Sequence, residues 1–600
     1  MESPLPSSPT PNGLAATATG WRRRGTGALR RLARLDESTI LIGFAVAIGV
    51  AVGIAVILFY RLIDFTQAIA LSTADSLGGV GRLSILLVVL MGMFAAWALV
   101  RWGARDSDGE NIPDVMRTIA KRGGILQGGP VLAKTAAAGI LIGTGGSVGA
   151  EGPVAVAGAA LGSKLGQFFR SGGPRLTVLI GCGAAAGISA AFNAPIAGVF
   201  FALEKILGTF GVASFPPVLV SSVIAAAISR GVLGNSPVIE IPTEYSLGAP
   251  VELVFYAGLG IATGVMGVVY TRSVHQTGAL LGSFGARWRQ IAAAAVVVGA
   301  LNIAFRADLW GQGHESFSLG MIGAREAWLL VALAFAKILA TSWSLAAVRA
   351  GGVFTPALFI GATLGGGLGV AAAEVFPELG IAPEAFALAG MAGLVAGSTH
   401  APLTALMIVF EMSGDYALIL PIMLTAAIAY IFARKLHPYS IYSEWLVRRG
   451  EQIDFGRDTT VLESLRVGDA YVGGPVVLAD HQSFAHVLDQ VGRTTQTEFP
   501  VTTDDGRLLG MITYGDLRTV IPRAAAVSAV LVAADIAHDD VSAVTPDDTL
   551  GTALRHLGVH GARYLPVVSD LESRRLLGLI SRQEVLAAYD RALLTRVDTT

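Results

Sequence analysis

The apolar part of this 600-residue chain carries one pattern twice, and each copy centres on a glycine-rich break before a helix. The first copy spans residues 149–162 and the second spans residues 352–365. At a constant offset of 203, the matching positions are Pro153, Gly158, Leu161 and Gly162 with Pro356, Gly361, Leu364 and Gly365. At an offset of 207, they are Gly183, Ala194, Pro195 and Glu204 with Gly390, Ala401, Pro402 and Glu411. Repeated apolar segments interrupted by glycine and proline point to the binding site of a transporter. Ion or solute permeation is therefore the first hypothesis.

Most of the chain has the composition of membrane-spanning helices. Hydrophobic residues make up 53%, charged residues only 14%, and the mean hydropathy is +0.62. A span needs roughly 20 apolar residues, and six stretches approach that length: 40–59, 83–100, 251–270, 291–305, 328–340 and 418–432. Several are shorter, which predicts tilted or broken helices. The composition predicts a polytopic α-helical membrane protein.

The segment before the first span is basic, with arginines at positions 22, 23, 24, 30, 31 and 34. We predict that residues 1–35 form a disordered tail, and the positive-inside rule places this tail in the cytoplasm. No short apolar stretch with a cleavage site follows it, so no signal peptide is expected. The single cysteine, Cys182, lies in an apolar context and is expected to be an unreactive core residue.

After about residue 441 charges become frequent and long apolar runs stop. Residues 443–464 are predicted to be a linker, and the rest divides into two similar α/β units, 465–522 and 530–590. Each unit carries a proline-started strand, a polar turn and a second strand. A helix then begins at Thr513 or Ser581 with an acid three residues later, Asp516 or Glu584. That spacing predicts a capping box at each helix start.

This pair of units resembles a tandem CBS-domain module. The resemblance implies a cytoplasmic regulatory module in which Thr513, Asp516, Ser581 and Glu584 can hold the ribose of an adenine nucleotide. The alternative is a pure helix cap in a packing module. No other cofactor is expected.

Three segments of the membrane part share one design. Residues 109–113, 149–153 and 351–356 each place glycine in a break and proline at the predicted first helical position, where its missing N–H costs nothing. The other N–H groups of a first turn are free donors at the positive end of the helix dipole, which suits an anion. Such breaks survive in a membrane only where they line a cavity or are buried in protein. We expect the three helix starts to converge on an anion that they bind weakly enough to release.

These three segments, with Asn193-Ala194-Pro195 and Tyr442, resemble the CLC family of chloride channels and chloride/proton exchangers. The resemblance implies that residues 36–442 form a CLC-type transmembrane domain, an inverted-repeat fold with broken helices. It also implies a homodimer with a separate chloride pathway in each subunit. We expect a multi-pass protein of the cell membrane, with both termini in the cytoplasm and lipid around its spans.

The resemblance assigns a role to each site residue. Glu151 lies at the position of the family's gating glutamate. A carboxylate there mimics the permeant anion, competes for the same donors and leaves when protonated; the alternative is a structural carboxylate at a helix start. The anion-binding residues it implies are Gly109, Glu110, Asn111, Ile112, Gly149, Gly152, Val353, Phe354 and Tyr442. An interfacial anchor is the alternative role for Tyr442.

Two positions depart from the family pattern. Glu110 replaces the usual serine of the first motif, which leaves the anion selectivity open. Lys205 occupies the place of the exchangers' internal proton acid, beside Glu204, so both residues are only candidates for a proton pathway. Glu204 recurs in the repeat as Glu411, so a structural role for Glu204 is at least as well supported as a role in proton relay. We therefore predict channel-like or weakly proton-coupled chloride transport, with stoichiometric chloride/proton antiport as the alternative.

Two further classes also join membrane helices to CBS domains. A magnesium or other cation transporter would need convergent carboxylates or carbonyls, and a nucleotide sensor would use its membrane part only as a support. We find no metal-ligand cluster, phosphate-binding loop or nucleophile constellation in the sequence. No enzyme activity, metal or nucleic-acid partner is expected.

Overall fold

The computed structural model describes residues 37–76, 81–104, 111–122, 124–169, 171, 173–234, 250–306, 308–313, 322–451, 462, 465–494, 496–521, 530–539, 541–559 and 563–597. The chain divides into two compact units, residues 1–453 and 454–600. The predicted disordered tail, residues 1–35, lies outside the described residues.

The regular secondary structure of the first unit is helical in its described part. Its helices are α1 (Glu37–Ser76), α2 (Gly81–Gly103), α3 (Ile112–Arg122), α4 (Gly128–Gly143), α5 (Glu151–Phe168), α6 (Gly173–Phe192), α7 (Pro195–Phe201), α8 (Phe215–Leu233), α9 (Glu252–Gly282), α10 (Arg287–Ala304), α11 (Ala327–Val348), α12 (Phe354–Val375), α13 (Pro383–Thr399), α14 (Pro402–Ser413), α15 (Ile419–Leu436) and α16 (Ser443–Val447). A π-helix, Ala202–Leu207, continues α7, and short 3-10 turns cover Pro377–Leu379 and Tyr416–Leu418.

Eight stretches of these helices are long and apolar enough to cross a membrane. They are Thr39–Ala74, Leu83–Gly103, Arg175–Phe192, Phe215–Leu233, Glu252–Gly282, Ala327–Val348, Phe354–Val375 and Tyr416–Leu436. Other helices, such as α4 and α14, are apolar but too short to span. The prediction of a polytopic membrane protein with broken helices is confirmed.

The repeat seen in the sequence is a repeat of helix packing. A Cβ on Gly158 of α5 would lie 2.1 Å from the carbonyl oxygen of Gly183 of α6. In the second copy, a Cβ on Gly361 of α12 would lie 2.3 Å from the carbonyl oxygen of Gly390 of α13. Small residues let membrane helices approach this closely. Each copy therefore uses matched glycines to press its broken helix against the next helix.

The second matched stretch also keeps its backbone geometry. Asn193 and His400, each just before an Ala-Pro pair, are left-handed with φ of 56° and 55°. Each residue ends one helix, and the proline of the pair begins the next helix at the first position, Pro195 in α7 and Pro402 in α14. His400 is therefore a polar break between α13 and α14.

The three motif prolines lie slightly deeper than predicted. Pro113 is the second residue of α3, and Pro153 and Pro356 are the third residues of α5 and α12. The prediction of the first helical position was wrong by one or two residues. The N–H groups of the whole first turn have no partner within the helix, so the helix tolerates proline at each of these positions.

The second unit contains two three-stranded sheets. Its strands are β1 (Val472–Gly473), β2 (Leu478–Ala479), β3 (Glu498–Thr502), β4 (Leu508–Thr513), β5 (Tyr564–Val568) and β6 (Leu576–Ser581). Its helices are α17 (Phe484–Gly492), α18 (Tyr514–Val520), α19 (Ala533–Ile536), α20 (Leu550–Val559) and α21 (Arg582–Val597), with a 3-10 turn at Val467–Asp469. One sheet has the order β2-β3-β4 and the other β1-β6-β5. In both sheets the two long strands are antiparallel, with Pro500 opposite Met511 and Pro566 opposite Leu579.

In this unit, the segment that precedes each half packs on the other half. Strand β1, which precedes the first sheet in the chain, pairs with β6 of the second sheet. Val467 is likewise buried in the core that holds Leu565 and Ile580. In the opposite direction, Ala533 of the later segment is buried in the core that holds Phe499 and Ile512. Each core is therefore built from both predicted CBS ranges.

Candidate anion site

The two glycine-rich breaks meet at a pair of glycines. The N–H of Gly149 donates to the Gly352 carbonyl at 2.8 Å, and the N–H of Gly352 donates to the Gly149 carbonyl at 2.7 Å. Gly149 and Gly352 are corresponding positions of the repeat. Two segments related by an inverted repeat meet at such positions with the same hydrogen bond in both directions. A Cβ on Gly352 would lie 2.7 Å from the Gly152 backbone nitrogen and 1.9 Å from a Glu151 carboxylate oxygen. The close approach therefore requires glycine.

Glu151, the first residue of α5, is fully buried at this junction. Its Oε1 accepts a hydrogen bond of 2.6 Å from the Phe354 backbone N–H, and its Oε2 accepts one of 2.8 Å from the Thr355 hydroxyl. Both donors belong to the first turn of α12, where the backbone N–H groups have no partner within the helix. The start of one broken helix thus binds the acid carried by the other.

A cavity of about 600 Å³ opens beside this junction. Five of the residues predicted to bind the anion line it: Asn111, Ile112, Gly152, Val353 and Tyr442. Four lysine and arginine residues also line it: Lys134, Arg287, Arg349 and Arg448. No carboxylate is among the described residues that line the cavity, so its wall favours negative charge.

Tyr442 presents a polar group to this cavity. The residue is 4% exposed, and its hydroxyl is buried with no hydrogen-bond partner among the described residues. It is close enough to Glu151 to interact with it electrostatically. A buried hydroxyl without a partner costs about 1–3 kcal/mol, and an anion in the cavity would relieve this cost.

The chain that follows Tyr442 is anchored by charged contacts. Glu444 of α16 pairs with His437 at 2.8 Å and with Arg448 at 2.7 Å. Although partial burial opposes the charged form of Glu444, the hydrogen bonds from Arg448 and His437 keep the pKa of its carboxyl below the usual range. Arg449 pairs with Asp114 of α3 at 3.1 Å. Part of the predicted linker is therefore ordered, because α16 is held against the membrane helices.

The first motif is only partly described. Gly109 and Glu110 lie outside the described residues, so the effect of the unusual Glu110 stays a prediction. Asn111 and Ile112 lie at the start of α3 on the cavity wall. The Asn111 N–H donates to the Asp114 side chain at 3.2 Å.

The two proton-pathway candidates differ in their contacts. Glu204 accepts hydrogen bonds from the Thr404 N–H at 2.9 Å and the Thr404 hydroxyl at 2.7 Å, at the start of α14. Glu411 of α14 accepts from the Ala197 N–H at 2.7 Å, at the start of α7. The two repeat-related acids therefore cap each other's helices. Lys205 is half-buried on the π-helix and interacts electrostatically with Arg434.

The CBS candidates form the two predicted helix caps. The Asp516 carboxylate accepts from the Thr513 N–H at 2.8 Å and from the Thr513 hydroxyl at 2.7 Å, and His538 lies 3.3 Å from it. The Glu584 carboxylate accepts from the Ser581 N–H at 2.9 Å and also from the Ser581 hydroxyl. Each pair therefore caps the start of its helix, and the role of these residues in nucleotide binding stays a prediction.

The sequence did not predict a metal-ligand cluster, but the fold brings one candidate group together. Side-chain atoms of Asp480, His481 and Asp504 lie within 4.8 Å of one another near the end of β2 and in the turn between β3 and β4. His481 and Asp504 are exposed. Their separation of more than 20 residues in the chain hides the group from a search for motifs.

Two residues of the anion site were missed by the sequence analysis. Thr355 lies inside the second break and its hydroxyl holds Glu151; a polar residue beside the predicted donors was the available signal. Tyr270 of α9 is fully buried, and its hydroxyl donates to the Val353 carbonyl at 2.9 Å. It ends an apolar run 83 residues away from Val353, and no motif marks it.

Comparison with known proteins agrees with this fold. The family described as voltage gated chloride channel matches residues 91–434, and the CBS domain family matches residues 467–523 and 532–591. A protein of Ralstonia nicotianae, named as a ClcB-like chloride channel protein, is 34% identical over 60% of this chain and 85% of its own length. The H(+)/Cl(-) exchange transporter ClcA of Yersinia pseudotuberculosis is 28% identical over 72% of this chain and 93% of its own length.

Two solved structures share the fold. A slow cyanobacterial Cl-/H+ antiporter has a TM-score of 0.62 at 24% identity, over 69% of this chain and 98% of that one. A eukaryotic CLC transporter has a TM-score of 0.59 at 19% identity, over 91% of this chain and 97% of that one. The fold is that of a multi-pass membrane transport protein with an inverted repeat and a tandem CBS module. The chain belongs to the CLC family of anion transport proteins.

Proposed function

We propose that the protein moves chloride or a similar monovalent anion through the junction of α5 and α12, with Glu151 as the gate. The observation that carries the proposal is the fully buried Glu151 carboxylate on the Phe354 N–H and the Thr355 hydroxyl. A chloride ion would use the same kind of donor. Transport, rather than catalysis, is the chemistry that this arrangement supports.

Gating follows from competition for these donors. The ionised Glu151 carboxylate occupies the Phe354 N–H and excludes the anion. A protonated carboxyl carries no charge, so it holds the donors less strongly and swings away. The anion then takes the freed donors, with the partnerless hydroxyl of Tyr442 beside it, and passes through the basic cavity.

We further propose that transport is channel-like or only weakly coupled to protons. Lys205 stands where the exchangers carry an acid, and its electrostatic partners are the Glu204 carboxylate and the basic residues Arg434 and His400. The three basic side chains oppose proton entry, and Glu204 offsets part of their charge. Glu204 is occupied as a helix cap, which supports a structural role for it. The alternative is a stoichiometric antiporter, which the name of the Yersinia relative favours.

The deciding experiment is chloride efflux from loaded proteoliposomes with simultaneous recording of the external pH. We expect chloride flux with little or no uphill proton movement, and we expect Lys205→Glu to increase the proton movement per chloride. Uphill proton transport at a fixed ratio in the wild-type protein would overturn weak coupling. Magnesium flux without chloride flux would favour a cation transporter, and the absence of any ion flux would favour a nucleotide sensor.

We propose a weak adenine-nucleotide site in the second unit, formed by Thr513 and Asp516 and, less favourably, by Ser581 and Glu584. The full-length protein in detergent is titrated with ATP and with AMP by calorimetry. We expect saturable binding that Asp516→Ala removes, while the exposed Asp505→Ala does not. The absence of binding would leave these pairs as helix caps only.

We also propose a homodimer in the cell membrane, with both termini in the cytoplasm. The basic segment before α1 supports this orientation. Membership of the CLC family supports the homodimer, and the exposed apolar side chains of α7 and α14, such as Ile196 and Leu403, suit either a second subunit or lipid. Light scattering in detergent gives the oligomeric state. A monomer at all protein concentrations would contradict the dimer.

A further inference from the structure

Tyr270 makes one contact that bears directly on the anion site. Its side chain is fully buried, and its hydroxyl donates to the Val353 carbonyl at 2.9 Å. The same carbonyl accepts the helix hydrogen bond of Ala357 at 3.2 Å. The tyrosine is therefore a second donor to an oxygen that already has a partner.

The Val353 carbonyl and the Phe354 N–H belong to one peptide group. On its other side this group donates to the Glu151 carboxylate at 2.6 Å. Hydrogen bonds in a chain polarise one another, by roughly 10–30% per bond in condensed phases. The Tyr270 hydroxyl thus withdraws electrons from the peptide whose N–H faces the carboxylate.

We propose that Tyr270 is a positioning residue that sets the direction and the donor strength of the Phe354 N–H, and with it the affinity of the site for chloride. This inference rests on the proposed function of the junction as an anion site. A purely structural tyrosine would only satisfy its own buried hydroxyl.

The hydrogen-bond pattern separates these two roles. Removing the hydroxyl leaves Val353 with its helix bond from Ala357, so no buried acceptor loses its last partner and the cost to stability is small. The donor strength of the Phe354 N–H changes all the same. A positioning role therefore predicts a change of chloride affinity without a matching loss of folded protein.

The test compares Tyr270→Phe with Tyr256→Phe in the full-length protein. Tyr256 is equally buried in the same helix, α9, and serves as the matched control. Efflux from proteoliposomes is measured against chloride concentration. In parallel, calorimetry measures chloride binding in a Glu151→Gln background, in which the ionised gate no longer competes. For Tyr270→Phe in this Glu151→Gln background, we expect the dissociation constant to rise about two- to fivefold. With Glu151 present, the weaker donor also loosens the competing carboxylate, so the half-saturating concentration of efflux should change less. The chloride affinity of the Tyr256→Phe control should stay unchanged.

Equal chloride affinity with and without Tyr270→Phe in the Glu151→Gln background would overturn this inference alone. Failure of the wild type to bind or move chloride would instead overturn the proposed function. If Tyr270→Phe does not fold, 3,5-difluorotyrosine at position 270 serves as the second variant, because its phenol is a stronger donor. It should tighten chloride binding, and a weaker or unchanged affinity would count against the positioning role.

Discussion

The two glycine-rich breaks share a backbone and differ in chemistry. At the offset of 203, Gly149 corresponds to Gly352 and Glu151 corresponds to Phe354, and each residue bonds to its own counterpart. The first break supplies an acid, while the second supplies a backbone N–H and the Thr355 hydroxyl. Two copies of the second break would face each other with hydrogen-bond donors and no acid. The difference at one repeated position turns a symmetric contact into an acceptor and its donors.

The comparison also separates two kinds of acid in the repeat. Glu151 has an apolar counterpart and binds the other half through its carboxylate. Glu204 and Glu411 are counterparts of each other, and each caps a helix of the opposite half. Symmetric acids therefore fit a structural role, and the asymmetric acid fits a gate. The following predictions test this distinction, starting with the largest expected effect.

Gly352→Ala should abolish transport. The added Cβ would lie 2.7 Å from the Gly152 nitrogen as well as against the Glu151 carboxylate, so the two breaks must move apart. Gly258→Ala is the matched control, because nothing lies within 4 Å of a Cβ at that position. Efflux from proteoliposomes at equal amounts of folded protein is the measurement. Wild-type flux in Gly352→Ala would show that the contact between the breaks is dispensable.

Glu151→Gln should make the anion flux independent of pH. In the wild type, we expect flux to rise as the pH falls, because protonation would remove the negative charge that competes with the anion. The neutral amide cannot compete as an anion at any pH, so the pathway stays open. Efflux rates across a series of buffers from acid to alkaline test this. A Glu151→Gln variant that keeps the wild-type pH profile of flux would contradict the gating role of Glu151.

Thr355→Val should also raise the anion flux at alkaline pH, but less than Glu151→Gln does. It removes one of the two hydrogen bonds on the Glu151 carboxylate while keeping the shape of the side chain. Hydrogen bonds to charged groups are worth about 1.5–3 kcal/mol, so flux at alkaline pH should rise by about tenfold. Thr363→Val is the control, since the Thr363 hydroxyl binds only the backbone of its own helix, α12. Equal effects of the two variants would contradict a specific hold on the gate.

Glu204→Gln and Glu411→Gln should lower the stability of the folded protein and leave transport unaltered. Each variant replaces an acceptor oxygen by an NH₂ group facing N–H donors, which should cost about 0.5–2 kcal/mol, as for other lost helix caps. Thermal unfolding in detergent gives the stability, and flux per folded molecule gives the function. If Glu204→Gln alone altered proton movement, the acid would be a proton relay after all.

The sequence alone determined the class of fold, the repeat, the breaks and the candidate gate. The class of fold, the repeat and the breaks rest on local signals, namely apolar runs, glycine and proline at fixed spacing, and a repeat that can be counted. Glu151, Phe354 and Tyr442 lie within or beside such patterns, and the resemblance of these patterns to the CLC family selected them before the fold was known. Their roles as gate and ligands stay predictions until flux is measured.

Only the tertiary structure decided which side chains meet. The Tyr270 hydroxyl donates to the Val353 carbonyl, 83 residues away in the chain. Glu204 caps the helix that carries Glu411, and Glu411 caps the helix that leads to Glu204. Strand β1 pairs with β6 of the later CBS range. The pairing of distant segments depends on how whole helices and strands pack, and composition or spacing along one stretch of chain does not encode it. The sequence thus specified the two halves and their breaks, while packing between the halves decided which groups hold the acid at the centre.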